Sequence, residues 1–286
     1  MFHGTSRAWD SAASSQGRAG EYRRTMTPEL TVSPLELELV ITALRITEET
    51  AGRYSELAPL NFQCHPIPFF GSLDRASVIT LGLNPSTHEF TSGRNWPLQI
   101  TAEQLASRLV NYWTPNSPGP HPWFKPWSTV LGELGTSYFE GAAHLDLSPR
   151  ATNSRKNRLR SLFVDMLQID SAIWIEALRR APNCRLVLAA GSATNRDYIN
   201  QFISKMLRLT GVRLEAPWRP AGGEGQTVFQ TICLPGGRKI PFFFCSTGPT
   251  IRKGSVLVDA CRERINELKQ YYRTPTANGH FNRSGL

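Results

Sequence analysis

The chain has 286 residues and a formal net charge of +9 at pH 7. This length is sufficient for one α/β domain with a sizeable core, so no second domain is required. The excess of Lys and Arg favours a polyanionic partner, because cations that neutralise phosphates release counterions. No apolar run of about 18 residues is present, which excludes a membrane-spanning helix. The N-terminal residues also lack the apolar core of a signal peptide, so we expect a cytoplasmic protein.

The cysteine pattern gives no sign of a metal site or a disulfide framework. The five cysteines are scattered and form no Cys-x-x-Cys pair. They are Cys64, Cys184, Cys233, Cys245 and Cys261. We therefore expect reduced thiols, no structural zinc, no iron–sulfur cluster and no cofactor.

The apolar patterning predicts one folded domain between two disordered ends. Residues 1–27 are rich in Ser, Gly, Ala and Arg, and we take 1–32 as a disordered extension. The domain spans 33–272, and the polar residues 273–286 form a disordered tail. The first helix begins at Pro34 with Ser33 as its N-cap. Residues 57–70 form a loop interrupted by prolines.

The stretch 76–90 contains the most informative strand. An apolar, β-branched run that includes Val78, Ile79 and Leu81 leads into a turn with Gly82, Asn84 and Pro85. The turn is either an ordinary Asn-Pro turn or a ligand site, because ligands bind at the carboxyl ends of strands in open α/β sheets.

A helix and an aromatic loop follow this strand. Residues 101–113 read as a helix capped by Thr101. The proline-rich loop 116–126 is either a surface connection or, through Trp123, Phe124 and Lys125, a segment suited to stacking on bases and contacting their backbone. A short helix is expected over 128–134.

A second strand, 142–147, precedes a strongly basic segment. Its cations are Arg150, Arg155, Lys156, Arg158 and Arg160. Such a run is either a solvated helix face or a phosphate contact at the carboxyl end of the strand. We take Arg150, Arg155 and Lys156 as candidate DNA contacts.

The C-terminal half continues the alternation of strands and helices. We expect helices over 169–181, 193–209 and 254–272, a strand over 185–190 and a hairpin of 227–234 with 239–245. The apolar strand 239–245 is expected to be central, and the turn 246–250 (STGPT) follows it. This order predicts an α/β fold with a mostly parallel sheet.

Two segments resemble the uracil-DNA glycosylase superfamily. Residues 67–71 (IPFFG) and 82–86 (GLNPS) are similar to its first active-site motif, Gly, any residue, Asn, Pro and a small residue. The resemblance implies a three-layer fold in which a mostly parallel sheet is flanked by helices. It also implies a monomeric DNA glycosylase that extrudes a nucleotide into a pocket.

The resemblance assigns roles to the first turn. Asn84 corresponds to the residue that positions the attacking water, although it would merely cap the turn in an ordinary loop. Ser86 stands where uracil-specific members carry a Tyr that blocks the C5 side of the base, so room for a C5 substituent is implied. Gly82 and Pro85 shape the base pocket, and Trp96 or Phe90 would stack on the base.

Asp146 departs from the family in the second motif. Aligning residues 146–149 (DLSP) with the family's Asn-Leu-Cys-Pro places Asp146 at the Asn that reads uracil. A carboxylate cannot donate to O4 of uracil, but it can accept from N4 of cytosine and share a proton with N3. The alternative is a buried Asp that caps the basic segment.

Ser246 departs from the family in the last motif, where most members carry His-Pro-Ser-Pro. A hydroxyl and the backbone N–H groups of this turn could still stabilise the departing base. The turn and the wedge that would fill the flipped-base gap comprise Thr247, Gly248, Pro249, Thr250, Ile251, Arg252 and Lys253. His88 and His144 are expected to be structural.

These assignments predict a monofunctional glycosylase that excises a 5-substituted cytosine from DNA. Hydroxymethylated or glucosylated cytosine of phage DNA would make the activity an antiviral defence. The alternatives are a uracil or mismatch glycosylase of base excision repair, a catalytically inactive DNA-binding protein of the same fold, and a nucleotide-processing α/β enzyme. The last has no Walker or Gly-x-Gly-x-x-Gly motif to support it.

Overall fold

The computed structural model describes residues 29–58, 65–85, 99–114, 122–152, 159–191, 211–215, 227–246 and 254–273. Within them, seven strands form one mixed sheet in the order β1-β3-β2-β4-β7-β6-β5. The strands are β1 (Phe69–Phe70), β2 (Val78–Gly82), β3 (Ala142–Asp146), β4 (Leu186–Ala190), β5 (Arg213–Leu214), β6 (Thr227–Cys233) and β7 (Lys239–Cys245). The chain is therefore an α/β protein, as the alternation of strands and helices predicts.

The centre of the sheet is parallel and its edges are antiparallel. Strands β3, β2, β4 and β7 run in the same direction, whereas β1 pairs antiparallel with β3, and β6 pairs antiparallel with β7 and β5. Every residue of β2, β3 and β4 is buried. Burial on both faces explains why these strands are continuous apolar runs rather than alternating ones.

The helices are α1 (Pro34–Glu49), α2 (Ala51–Tyr54), α3 (Ala102–Val110), α4 (Lys125–Leu134), α5 (Arg160–Arg180), α6 (Gly254–Glu263) and α7 (Ile265–Arg273). A 3₁₀ turn, Pro122–Phe124, leads into α4. Ser33 and Thr101 cap α1 and α3, each within a complete capping box, as predicted. The last helical segment is divided at Arg264 rather than continuous over 254–272.

Several predicted bounds are corrected by packing. Helix α5 begins at Arg160 rather than at 169, because Phe163, Met166 and Leu167 extend its buried stripe into the basic segment. Helix α4 begins at Lys125 rather than at 128. The two-residue strands β1 and β5 were not expected, since residues 57–70 read as a loop and no strand was predicted between residues 209 and 227. The predicted helix 193–209 and both disordered ends, apart from residues 29–32 and Arg273, lie outside the described residues.

The topology reverses the strand order at β2. The chain leaves β2 and adds β3 on one side, then returns to place β4 on the other side of β2. In doubly wound sheets, ligands bind at the carboxyl ends of strands where the strand order reverses in this way. The carboxyl ends of β2, β3, β4 and β7 all lie at one edge of the sheet, the carboxyl edge.

Candidate functional site

The turns that follow β2 and β3 lie side by side at the carboxyl edge. Gly82 is the register partner of Asp146. Beyond the strands, the Leu147 amide donates to the Gly82 carbonyl at 3.1 Å and the Ser148 amide donates to the Leu83 carbonyl at 3.2 Å. The backbone therefore carries Asn84 and Asp146 on adjacent, hydrogen-bonded segments.

The Asn84 amide is held in one orientation by the neighbouring turn. Its Nδ2 donates to the Pro85 carbonyl and to Thr152 Oγ1, both at 2.9 Å, and to the Arg150 carbonyl at 3.4 Å. Because a carbonyl can only accept, the amide nitrogen must face these groups. Among the described residues, every hydrogen bond of this side chain is donated by Nδ2, so Oδ1 is the atom available to accept from a water.

Asp146 lies across the end of β2, and glycine at position 82 makes this possible. The Asp146 side chain is 6% exposed, and Oδ1 lies 3.4 Å from His144 Nε2. A Cβ at position 82 would overlap Asp146 Oδ1 and come within 2.9 Å of His144 Nε2. The carboxyl group can approach the β2 turn because Gly82 leaves that space empty.

A buried polar chain, which sequence reasoning missed, continues from Asp146 into the core. His144 Nδ1 lies 2.8 Å from Thr80 Oγ1, which lies 2.7 Å from the Tyr138 hydroxyl. Burial raises the pKa of the Tyr138 phenol above its ordinary value, so the hydroxyl keeps its proton. His144 was expected to be structural. The sequence carried one indication of this chain. Side chains two residues apart in a strand point to the same face, so residues 80 and 82 share one face of β2, and residues 144 and 146 share the same face of β3.

Aromatic rings surround His144. The Phe124 ring centroid lies 5.0 Å from that of the imidazole, and the Phe70 ring stacks at 5.9 Å. Trp123, which is half-buried, lies 4.9 Å from His144. Lys125 is exposed. The aromatic residues before α4 therefore lie next to the candidate site. The sequence alone left open whether this loop is a surface connection or part of a binding site.

The prediction that Arg150 contacts DNA is wrong. Its guanidinium is buried and forms bidentate hydrogen bonds with Asp170 on α5, with Nη2 3.0 Å from Oδ1 and Nε 3.1 Å from Oδ2. Nη2 also donates to Thr50 Oγ1 at 2.7 Å, and the guanidinium lies over the Tyr54 ring at 5.1 Å. A group enclosed in this way does not contact DNA phosphates. It fixes the turn after β3 against α1, α2 and α5.

Ser246 directly follows β7 at the same edge of the sheet. Its side chain is fully buried, and β4 separates β7 from β2. Two strand spacings place it about 10 Å from the β2 turn. The three turns therefore share one edge, but only Asn84 and Asp146 are on adjacent segments. The contact of Ser246 with a departing base stays a prediction.

The other predicted site residues lie outside the described part of the chain. They are Ser86, Phe90, Trp96, Arg155, Lys156, Thr247, Gly248, Pro249, Thr250, Ile251, Arg252 and Lys253. Their expected roles in base stacking, C5 clearance and DNA contact remain predictions. His88, which was expected to be structural, also lies outside the described residues.

No cluster of three or more His, Cys, Asp or Glu side chains that could hold a metal ion occurs among the described residues. None of the helices in the described ranges is long and apolar enough to cross a membrane.

The fold and the site define an α/β protein in which Asn84 and Asp146 lie on adjacent, hydrogen-bonded segments at the carboxyl edge of a sheet with a parallel centre. No protein-family model matches the chain, and no curated protein is significantly similar to it.

Proposed function

We propose that the protein is a monofunctional DNA glycosylase that excises a 5-substituted cytosine and leaves an abasic site. The observation that carries the proposal is the pairing of an anchored amide, Asn84, with a nearly buried carboxyl group, Asp146, on adjacent turns. Hydroxymethylated or glucosylated cytosines of phage DNA are the modified bases that this chemistry suits, which makes antiviral defence the biological role.

Asn84 supplies the water-orienting part of the mechanism. With Nδ2 bonded to the protein, Oδ1 accepts a hydrogen bond from a water and holds it against an oxocarbenium-like sugar. An amide cannot remove the proton of that water. Departure of the base must therefore be assisted from its own side, which gives Asp146 its importance.

Asp146 supplies recognition of the base and assistance to its departure. A carboxylate oxygen accepts from the N4 amino group of a cytosine, which is the pairing expected of Asp with this base. Uracil presents an acceptor at the same place and would be repelled. A proton shared between the carboxyl group and N3 holds the base and neutralises the charge that develops as the glycosidic bond breaks.

The surroundings support a DNA base as the substrate. The chain carries a net charge of +9, which favours a phosphate backbone. Trp123 is half-buried and lies 4.9 Å from His144, whose Nε2 faces Asp146, so an aromatic residue of the kind that stacks on bases is near the site. The resemblance of the first motif adds Ser86, whose small side chain leaves room for a C5 substituent.

The decisive experiment incubates the protein with oligonucleotides and then cleaves abasic sites with alkali. The substrates carry uracil, mismatched thymine, cytosine, hydroxymethylcytosine or glucosylated hydroxymethylcytosine, in single and double strands. We expect strand scission with 5-substituted cytosine, loss of scission in Asn84→Ala, and a shift of preference towards uracil in Asp146→Asn. Asp259→Asn, the same change at an exposed position of α6, is the matched control.

The alternatives give different outcomes. Scission confined to uracil or mismatches would indicate a repair glycosylase, which Asn84 alone favours. No scission with any substrate, together with DNA binding that Asn84→Ala leaves unchanged, would indicate a DNA-binding protein without catalysis. An unchanged base preference in Asp146→Asn would refute the reading of the base edge by the carboxyl group.

A further inference from the structure

The buried chain from Tyr138 to Asp146 has a defined direction. Tyr138 is buried and keeps its proton, and buried hydroxyl donors are satisfied in folded proteins. Thr80 Oγ1, at 2.7 Å, is within reach of that donor. When Tyr138 donates to Thr80, the single Thr80 proton remains for a second acceptor.

The Thr80 proton selects one tautomer of His144. The two acceptors in reach are His144 Nδ1 at 2.8 Å and the Ala143 carbonyl at 3.4 Å, and the shorter distance favours the ring nitrogen. An Nδ1 that accepts carries no hydrogen, so the imidazole holds its proton on Nε2. That N–H faces Asp146 Oδ1 at 3.4 Å, a separation that can shorten when a ligand binds.

We propose that His144 is a positioning residue for Asp146, held in its Nε2–H tautomer by Thr80 and Tyr138. Nε2–H donates to Oδ1 and keeps that oxygen an acceptor, which receives the N4–H of the base. The proton that is shared with N3 of the base therefore lies on the Oδ2 side of the carboxyl group. This inference rests on the proposed function, because it assigns the two oxygens of Asp146 to the two polar atoms of a cytosine edge.

The proton and electron balance of the step follows from this assignment. The proton shared between Oδ2 of Asp146 and N3, which is taken up from solvent when the base binds, passes to N3 while the bond from the sugar C1′ to N1 breaks. The electron pair leaves with the base, which departs neutral. The water held by Asn84 adds to C1′ and loses its proton to solvent, which balances the proton taken up.

The tautomer can be measured without any substrate. In the full chain labelled with ¹⁵N-histidine, we expect His144 to show a protonated Nε2 and a bare Nδ1. Thr80→Val removes the donor to Nδ1 and should abolish this pattern. Thr129→Val, on the exposed side of α4, is the matched control and should preserve it. A protonated Nδ1 in the unmodified protein, or an unchanged pattern in Thr80→Val, would overturn the proposal.

Activity gives the second readout. His144→Leu should lower kcat on the cytosine-type substrate by about 10- to 100-fold with little change in KM, since misplacement of a reacting group by about 1 Å costs about 100-fold. His144→Gln retains an N–H donor and should recover part of this loss. Equal kcat in His144→Leu and the unmodified protein would refute the positioning role. If the unmodified protein excises nothing, the proposed function fails, while the tautomer still decides whether His144 donates to Asp146.

Discussion

Replacement of Gly82 by alanine is the sharpest test of the geometry at the carboxyl edge. The added Cβ would overlap Asp146 Oδ1 and lie 2.9 Å from His144 Nε2, closer than carbon approaches such atoms in folded proteins. To reach ordinary van der Waals separation, these side chains must retreat by roughly 0.5–1 Å. The carboxyl group would then leave the position from which we propose that it reads the base.

Two magnitudes follow from this displacement. A reacting group displaced by about 1 Å costs about 100-fold in rate, so we expect excision by Gly82→Ala to fall to about one hundredth. Overpacking of a well-packed site costs about 1–3 kcal/mol, which should appear as a lower free energy of unfolding in urea. Removing the carboxyl group relieves part of the overlap, so Gly82→Ala should cost less stability in an Asp146→Ala background.

The assays are excision from a hydroxymethylcytosine oligonucleotide and equilibrium unfolding in urea. Gly132→Ala is the matched control, because Gly132 lies in α4 and no atom outside its own turn of helix lies within 4 Å of the added Cβ. That variant should keep full activity and gain up to about 1 kcal/mol of stability, since alanine favours helix. Full activity and unchanged stability of Gly82→Ala would show that Asp146 does not lie against this glycine.

Three further predictions concern a buried ion pair, the end of α5 and two cysteines. Arg150→Met should lower the free energy of unfolding by about 3–5 kcal/mol, because Asp170 would be left buried and unpaired; a loss below about 1 kcal/mol in urea would contradict the buried pair. Arg238→Met should lower the free energy of unfolding by about 2–3 kcal/mol, because the Arg238 guanidinium donates to four carbonyls at and beyond the end of α5. Unchanged stability would show that these hydrogen bonds do not hold the end of the helix. Burial raises the pKa of Cys184 to about 12, so little of its thiol is ionised at pH 8 and iodoacetamide should modify the half-buried Cys233 first. Equal modification rates of these two cysteines, measured by mass spectrometry, would show that Cys184 is accessible.

The central strands could be predicted from the sequence because burial on both faces leaves a local signature. Strands β3, β4 and β7 are confirmed within one residue at each end, β2 is confirmed within the stretch 76–90, and the caps Ser33 and Thr101 are confirmed with their reciprocal hydrogen bonds. The strands β1 and β5 carry no such signature. Each has two residues and forms only by pairing with a longer strand distant in the chain.

The site was only partly predictable, since its contacts join residues that are far apart in the sequence. Asp146 and Asn84 could be proposed from their turns, but the Thr80 partner of His144 is 64 residues away. For Arg150, the sequence predicted a surface role that the structure contradicts. Composition assigned it to a basic surface segment, whereas the interior position of Asp170, 20 residues further on, determines where its guanidinium lies.

The enclosed Arg150 and Asp170 pair has a consequence for how this site can change. The backbone that anchors the Asn84 amide is fixed by the protein's own interior. In the proposed glycosylase, the water-orienting group is therefore set before DNA arrives, and selection for a different target base would act on the side chains around Asp146 while the hydrolytic step is preserved. The ionic pair would then be inherited unchanged by descendants that differ in the base they remove.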